Sequence, residues 1–179
     1  MLLVIEIKIE NEQIRMLTGY GPQETVSLED KMEFYMKVEE EIVKGNNAGK
    51  EIIFMGDLNA KLGKEIIKKD PNKQSENGKI LAGVVERNAL TVVNSLEEKC
   101  VGTITRERCT VGGVEKSVID YVIVSKGLTE KVEKMEIDEE RRNTLAKIMK
   151  TKQGVKVTES DHNTIITQMK MNTEKRIKN

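Results

Sequence analysis

Strand and helix signals follow one another irregularly along this chain, and that order is the tightest limit on what it can fold into. MLLVIEIKIE, residues 1–10, alternates from Ile5 onward, with Ile5, Ile7 and Ile9 on one face and Glu6, Lys8 and Glu10 on the other, as in a half-buried strand. NEQ reads as a turn and IRMLTGY as the returning strand of a hairpin, before GYGPQ breaks regular structure through two glycines and Pro22. SLEDKMEFYMKVEEEIVKGNN reads as a helix capped by Ser27, closed by Gly45 and Asn46, with Met32, Tyr35, Val38, Ile42 and Val43 as its apolar stripe. EIIFM is a short apolar strand that runs straight into GDLNAKLG, and KKDPNKQSENG, 68–78, is a polar loop. GKILAGVVERNAL predicts a second helix; TVVNS, VGTITRE, the stretch around TVGGVEKS with its Gly112-Gly113 turn, and SVIDYVIVS predict strands. Asp138 is the expected cap of a third helix, DEERRNTLAKIMK, and TIITQMKM the last strand. Without strict strand–helix–strand alternation, the pattern predicts sheets packed on each other with helices outside. No repeat or linker divides the chain, so residues 1–171 are expected to form one domain and 172–179 a frayed tail.

Composition narrows the function classes. At 179 residues the chain can bury a real core, but aromatics are only 3% and Trp is absent, so that core must rest on Ile, Val, Leu and nine Met. Thirty acidic and thirty basic residues cancel, which argues against a tight, non-specific nucleic-acid binder and leaves room for an enzyme that grips nucleic acid transiently. The one histidine cannot complete a metal set with Cys100 and Cys109, which read as free thiols of an intracellular protein. The N-terminal apolar run lacks a basic leader and meets Glu6 after five residues, so it reads as neither signal peptide nor membrane span.

Three places put carboxylates where pattern alone asks for a hydrophobe or a turn. Asp57 and Asn59 follow EIIFM, Asp120 sits in SVIDYVIVS, and Asp161 with His162 precedes TIITQMKM. Each has a plain structural reading: a turn, a satisfied backbone group, a paired histidine. Charges at the ends of buried strands are costly unless paired, hydrogen-bonded or metal-bound, and the coincidence of three such places favours a site.

The ordered set GYGP (19–22), GDLNAKLG (56–63), ENGKILAGVVERNALTVVNS (76–95), IDYVIVS (119–125) and SDHN (160–163) resembles the endonuclease/exonuclease/phosphatase superfamily, nearest to the endonuclease domain of non-LTR retrotransposons. The resemblance covers roughly residues 19 to 170 and implies an α+β, four-layer α/β/β/α sandwich of the DNase I-like kind. It also implies a phosphodiesterase dependent on Mg²⁺ or Mn²⁺, with DNA as substrate, nicked by hydrolysis. Carried over residue by residue, Asp57 is similar to the aspartate that orients or deprotonates water, and Asn59 to the amide that helps hold the phosphate. Asp120 is similar to the aspartate that orients the catalytic histidine, His162 to that histidine, Asp161 to the acidic residue beside the metal, and Tyr20 to the tyrosine near the phosphate. Asp57 and Asp161 are thus the expected metal-side carboxylates.

Those proteins also carry, ahead of the hairpin, a strand with an asparagine and a strand with a metal-binding glutamate, and residues 1–18 hold neither. An N-terminally truncated domain, a fragment of a longer reading frame with impaired activity, is therefore the expectation. Glu24, in QET, comes after Tyr20 and reads as a loop residue. Arg106, Arg108 and Lys116 flank a hairpin and read as a solvated face. Further expectations are a monomer that is intracellular, nuclear if it acts on DNA, not membrane-bound, and derived from a reverse-transcriptase polyprotein. The alternatives are a catalytically dead remnant or protein-binding module, and a phosphatase or lipid phosphodiesterase of the same superfamily.

Overall fold

The apolar run after Glu51 forms β3 (Glu51–Asp57), the middle strand of a five-stranded sheet. A computed structural model describes residues 1–143, 146–151 and 154–171; the tail expected over 172–179 lies outside the described residues. Ile52 and Phe54 of β3 are fully buried under helices, while Ile53 and Met55 face a second sheet. A strand covered on both faces has no use for alternation, which is why EIIFM reads as a continuous apolar run.

The large sheet runs β1-β2-β3-β8-β4, with β1 (Leu2–Ile9), β2 (Glu12–Tyr20), β8 (Asp120–Ser125) and β4 (Leu90–Val92). Its helix-side core joins Leu17, Phe54, Tyr121 and Ile123 to Tyr35, Val38 and Ile42 of α1 (Leu28–Asn47) and to Leu81 and Val84 of α2 (Glu76–Arg87). Each such fully buried aliphatic or aromatic side chain contributes about 1.5–3 kcal/mol. The opposite face packs on a three-stranded sheet, β12-β9-β5, formed by β12 (Ile165–Met169), β9 (Val132–Ile137) and β5 (Cys100–Val101), through Val122, Val124, Val132, Met135 and Ile137. α3 (Lys126–Thr129) adds buried Leu128 there. Two hairpins stand apart: β6 (Arg106–Thr110) with β7 (Gly113–Ser117), and β10 (Ala146–Thr151) with β11 (Gly154–Glu159). The outer face of the smaller sheet, with Lys134, Ile166 and Gln168, is exposed among the described residues.

Several expectations shift. The third helix over 138–150 is instead a turn leading into strand β10, with residues 144–145 outside the described set. Asp138 does cap, but it caps that turn, accepting from the Asn143 backbone N–H. TVVNS supplies the last two residues of a three-residue strand, Leu90–Val92, and then one 3-10 turn, Val93–Ser95. α1 is capped by Ser27, as expected, but runs on to Asn47, with Gly49 taking the left-handed φ of +68°. Gly45 lies buried inside the helix, where an added Cβ would sit 2.4 Å from Ile52 Cδ1. Met32 and Val43 of its expected stripe are exposed, whereas Lys31 is buried and ion-paired with Glu76. On β1, Ile7 and Ile9 pack toward the smaller sheet, but Leu3 and Ile5 remain exposed.

β12 pairs only with β9 among the described residues. Beyond its unpaired edge an apolar trough of about 450 Å³ opens between the sheets, lined by Met16, Met55, Ile165 and Met169. Both cysteines are free, and no helix among the described residues is long and apolar enough to cross a membrane.

Candidate active site

Strand register gathers the residues that sequence scatters. β2 and β3 are parallel, with Tyr20 opposite Asp57; β3 and β8 are antiparallel, with Asp57 opposite Asp120. Tyr20, Asp57 and Asp120 therefore form one row across three neighbouring strands at one end of the large sheet. The SDHN segment closes onto this row by pairing with the start of β6: Asn163 N–H donates to Thr105 O at 2.7 Å, Glu107 N–H donates to Asp161 O at 2.8 Å, and Arg106 and His162 form an isolated antiparallel bridge.

The loop after Asp57 is held from three sides. Asn59 takes a left-handed φ of +46°; its N–H donates to Asp57 Oδ1 at 3.0 Å, and its side-chain amide donates to Gly21 O at 2.9 Å. The buried Tyr121 hydroxyl accepts from Leu62 N–H at 3.2 Å and lies 2.8 Å from Ala60 O, so the tyrosine of IDY braces the GDLNAKLG loop. Helix α2 begins against the same loop. Asn77, fully buried, donates to Asn59 O and Pro22 O, and a Cβ on Gly78 would stand 1.9 Å from Lys61 O. Glu24 accepts from Glu76 N–H at 2.8 Å, so its carboxylate caps α2, an anion at a helix N-terminus.

At the centre, His162 Nδ1 lies 3.1 and 3.0 Å from the two oxygens of Asp120. That contact makes Nδ1 the protonated nitrogen of the neutral ring and leaves Nε2 facing outward. Nε2 stands 3.8 Å from Asp57 Oδ2 and 3.8 Å from Asp161 Oδ1. Asp120 is itself positioned at both backbone atoms: its N–H donates to Thr105 Oγ1 at 3.1 Å, and its carbonyl accepts from Asn94 Nδ2 at 3.1 Å. Asp161 accepts from Arg106 Nε at 2.8 Å. A cavity of about 400 Å³ opens over Tyr20, Asp57, Asn59, Arg106, Asp161 and His162.

Electrostatics follow from this packing. The hydrogen bond to Asp120 raises the His162 pKa above the ordinary imidazole value, against the opposing pull of burial, with Asp57 and Asp161 adding to the rise. Burial, then the nearby Asp120 charge, holds Asp57 above the usual aspartate range, making it a better base than a surface aspartate. Because the folded His162 pKa exceeds the unfolded one, its stabilising contribution is complete below about pH 6.5 and is lost as pH rises through the raised folded value. The chain's single histidine makes this a one-signal measurement. The imidazole C2 proton is expected to titrate with a midpoint above that of a free histidine, and Asp120→Asn is expected to bring the midpoint back down; an unchanged midpoint in the variant would refute the coupling.

All six residues picked out from sequence, Tyr20, Asp57, Asn59, Asp120, Asp161 and His162, line or adjoin this cavity. Thr105 was not legible as a site support, since nothing in its local pattern marks it, and Asn77 stood inside a quoted motif without an assigned role. Asn94 and Tyr121 stood inside quoted motifs without an assigned role. Thr105 is fully buried and its hydroxyl accepts from both Ile119 N–H and Asp120 N–H. Thr105→Val leaves both donors unpaired and is expected to cost about 1–3 kcal/mol. Urea unfolding measures this, and a variant as stable as wild type would remove Thr105 from the support.

The donor set suits a hard divalent cation. Asp57 and Asp161 each place an oxygen 3.8 Å from Nε2, and Mg²⁺ is commonly bound by one or two carboxylates with the remaining positions taken by water and phosphate. Among the described residues, the group whose ligand atoms lie within 4.8 Å of one another is Asp57, Asp120 and His162, without Asp161.

No protein-family profile matches the sequence, and no curated protein matches it either. Solved structures do share its fold. The endonuclease domain of TRAS1, a telomere-specific non-LTR retrotransposon, aligns with a TM-score of 0.61 and 16% identity, covering 96% of this chain and 64% of that one. The 3′-5′ exonuclease NExo from Neisseria meningitidis aligns with a TM-score of 0.64 and 13% identity, covering 94% and 65%. An endonuclease/exonuclease/phosphatase family protein from Leptotrichia buccalis gives a TM-score of 0.58 and 18% identity, covering 95% and 54%. The chain thus spans under two thirds of the length of each of these structures.

Proposed function

We propose that this chain, which has the DNase I-like fold of the endonuclease/exonuclease/phosphatase superfamily, is a phosphodiesterase that nicks DNA by hydrolysis, in the manner of a retrotransposon endonuclease domain. The observation that carries this reading is the Asp120–His162 pair, whose free Nε2 faces the cavity between two further carboxylates. In the reaction, the oxygen of water bonds to phosphorus as the bond from phosphorus to the leaving sugar oxygen breaks; water loses a proton and the leaving oxygen gains one. Asp57, whose carboxylate stands 3.8 Å from Nε2 of His162, orients the water and takes its proton. His162, kept in one tautomer by Asp120, serves the phosphate and the proton delivered to the leaving oxygen. Asn59 and Tyr20 border the cavity where the phosphate sits. A divalent cation such as Mg²⁺ or Mn²⁺, which Asp57 and Asp161 would hold, would supply Lewis-acid polarisation of a phosphoryl oxygen.

The glutamate expected from the resemblance has no substitute in Glu24, whose carboxylate serves the α2 N-terminus. Supercoiled plasmid tests the reading: relaxed circles accumulate with wild type in Mg²⁺ or Mn²⁺ and stop accumulating in EDTA. Equal background from wild type, Asp57→Ala and His162→Ala would replace the enzyme by a non-catalytic binding module. Release of inorganic phosphate from phosphomonoesters without nicking would move the assignment to the phosphatases.

A further inference from the structure

Arg106 opens β6 beside the cavity, and sequence pattern alone placed it on a solvated face. Its backbone bridges that of His162, and paired residues in an antiparallel bridge carry their side chains on the same face, about 4.5–5.5 Å apart at Cβ. The flanking bonds, Asn163 N–H to Thr105 O and Glu107 N–H to Asp161 O, fix this pairing on both sides. The Arg106 side chain is only 26% exposed, and its Nε is engaged by Asp161 Oδ2. A guanidinium carries five N–H donors in a planar fork, so one bond at Nε leaves the terminal amino groups to serve another acceptor.

The charge balance of the cavity gives that acceptor a chemistry. Asp57 and Asp161 both stand 3.8 Å from Nε2 of His162, so an anion approaching Nε2 meets two negative groups. Arg106 and Arg108 are the guanidinium groups lining the cavity, and Arg108 is exposed on the hairpin whereas Arg106 is held in place. As an ion pair alone, the part-exposed Arg106–Asp161 contact would contribute little, about 0–1 kcal/mol. Its position beside the imidazole is better matched to a ligand.

We propose that Arg106 is a substrate-binding residue: its guanidinium, aimed by Asp161, takes a non-bridging oxygen of the phosphodiester group that Nε2 of His162 faces. The proposal rests on the phosphodiesterase reading of the site and adds to it the residue that offsets the carboxylates on the substrate side.

The test is binding without turnover. A fluorescein-labelled short DNA duplex is titrated with the full chain in EDTA and followed by anisotropy over a range of salt concentrations, for wild type, Arg106→Ala, Arg106→Lys and Lys37→Ala. Lys37 lies on the exposed side of α1, paired with Glu33, and controls for loss of one positive charge. Arg106→Ala is expected to weaken binding about 10- to 100-fold, the range of a charge-assisted hydrogen bond. It is also expected to lower the slope of log affinity against log salt by about one phosphate contact. Arg106→Lys keeps that slope but recovers only part of the affinity, because a point charge lacks the planar fork. Lys37→Ala stays within about twofold of wild type, and thermal unfolding of Arg106→Ala within a few degrees of wild type shows that the fold is kept. Equal affinity and equal salt slope for wild type and Arg106→Ala would overturn the proposal, even if plasmid nicking were intact. Binding that depends on Arg106 without nicking would instead overturn the catalytic reading and leave the contact standing. A wild type that does not bind DNA even at low salt overturns the proposal and leaves the catalytic reading to the nicking assay in Mg²⁺.

Discussion

Nicking by the His162→Ala variant is expected to fall about 10²- to 10⁴-fold below wild type, the range for loss of a general acid–base group. The imidazole joins Asp120 to the cavity, and on the proposed reading its removal takes away the proton carrier at Nε2. The fold should survive, since His162 is partly exposed and its backbone contacts to the Arg106 strand do not depend on the ring. Asp120, left with its carboxylate unpartnered on the ring side, adds a stability loss of about 1–3 kcal/mol. The initial rate of relaxed-circle formation measures the first effect and urea unfolding the second. A variant keeping more than a tenth of wild-type activity would remove His162 from the chemistry.

The largest expected effect on stability lies one residue before Asp57. Gly56 has φ +140°, and a Cβ built on it would stand 2.0 Å from Gly19 O, its partner in the parallel β2–β3 pair. No flexible side chain can yield at that contact, because the obstacle is backbone. Gly56→Ala must either hold a strained φ, at about 1–3 kcal/mol, or push the two central strands apart. A total cost of about 3–5 kcal/mol is expected, among the large values seen for single substitutions. Gly49→Ala is the contrast: its φ is also positive, at +68°, but nothing lies within 4 Å of the added Cβ, so it should cost only the local strain. Urea midpoints for the two variants separate strain from collision, and equal losses would show that collision contributes nothing at Gly56.

Much of this architecture is legible where local chemistry and burial agree. EIIFM announces a strand covered on both faces, and Ser27 announces a helix start because its hydroxyl does accept from Asp30 N–H. The carboxylates at the ends of apolar strands were the most informative signal, since the fold brings Asp57, Asp120 and Asp161 together around His162. Residues 138–150 misled for a physical reason. Their helix formers are local preferences, and they lost to Asp138, which is buried and accepts from Asn143 while its N–H donates to Thr164 O at 2.9 Å, bending the chain back before a helix can start. Lys31 misled in the other direction. Its charge suggests solvent, but its ammonium pairs with Glu76 across two helices and its stem fills the space between them. Thr105 could not be read at all, and Asn77 only as part of a motif, because their roles exist only once distant strands have met. Arg106 was visible as a charge, but only its bridge to His162 gives that charge an address.

The unpaired side of β12 governs how this protein behaves in a tube. Backbone donors and acceptors at a strand edge that is open among the described residues, set beside an apolar hollow lined by Met16, Met55, Ile165 and Met169, are a template for any extended peptide that passes. Concentrated samples will therefore be limited by stickiness before they are limited by unfolding: turbidity will climb with protein concentration at temperatures where the native fold is intact, and a lysine placed at Ile166, on the exposed face of that strand, will extend shelf life without altering the chemistry at Nε2.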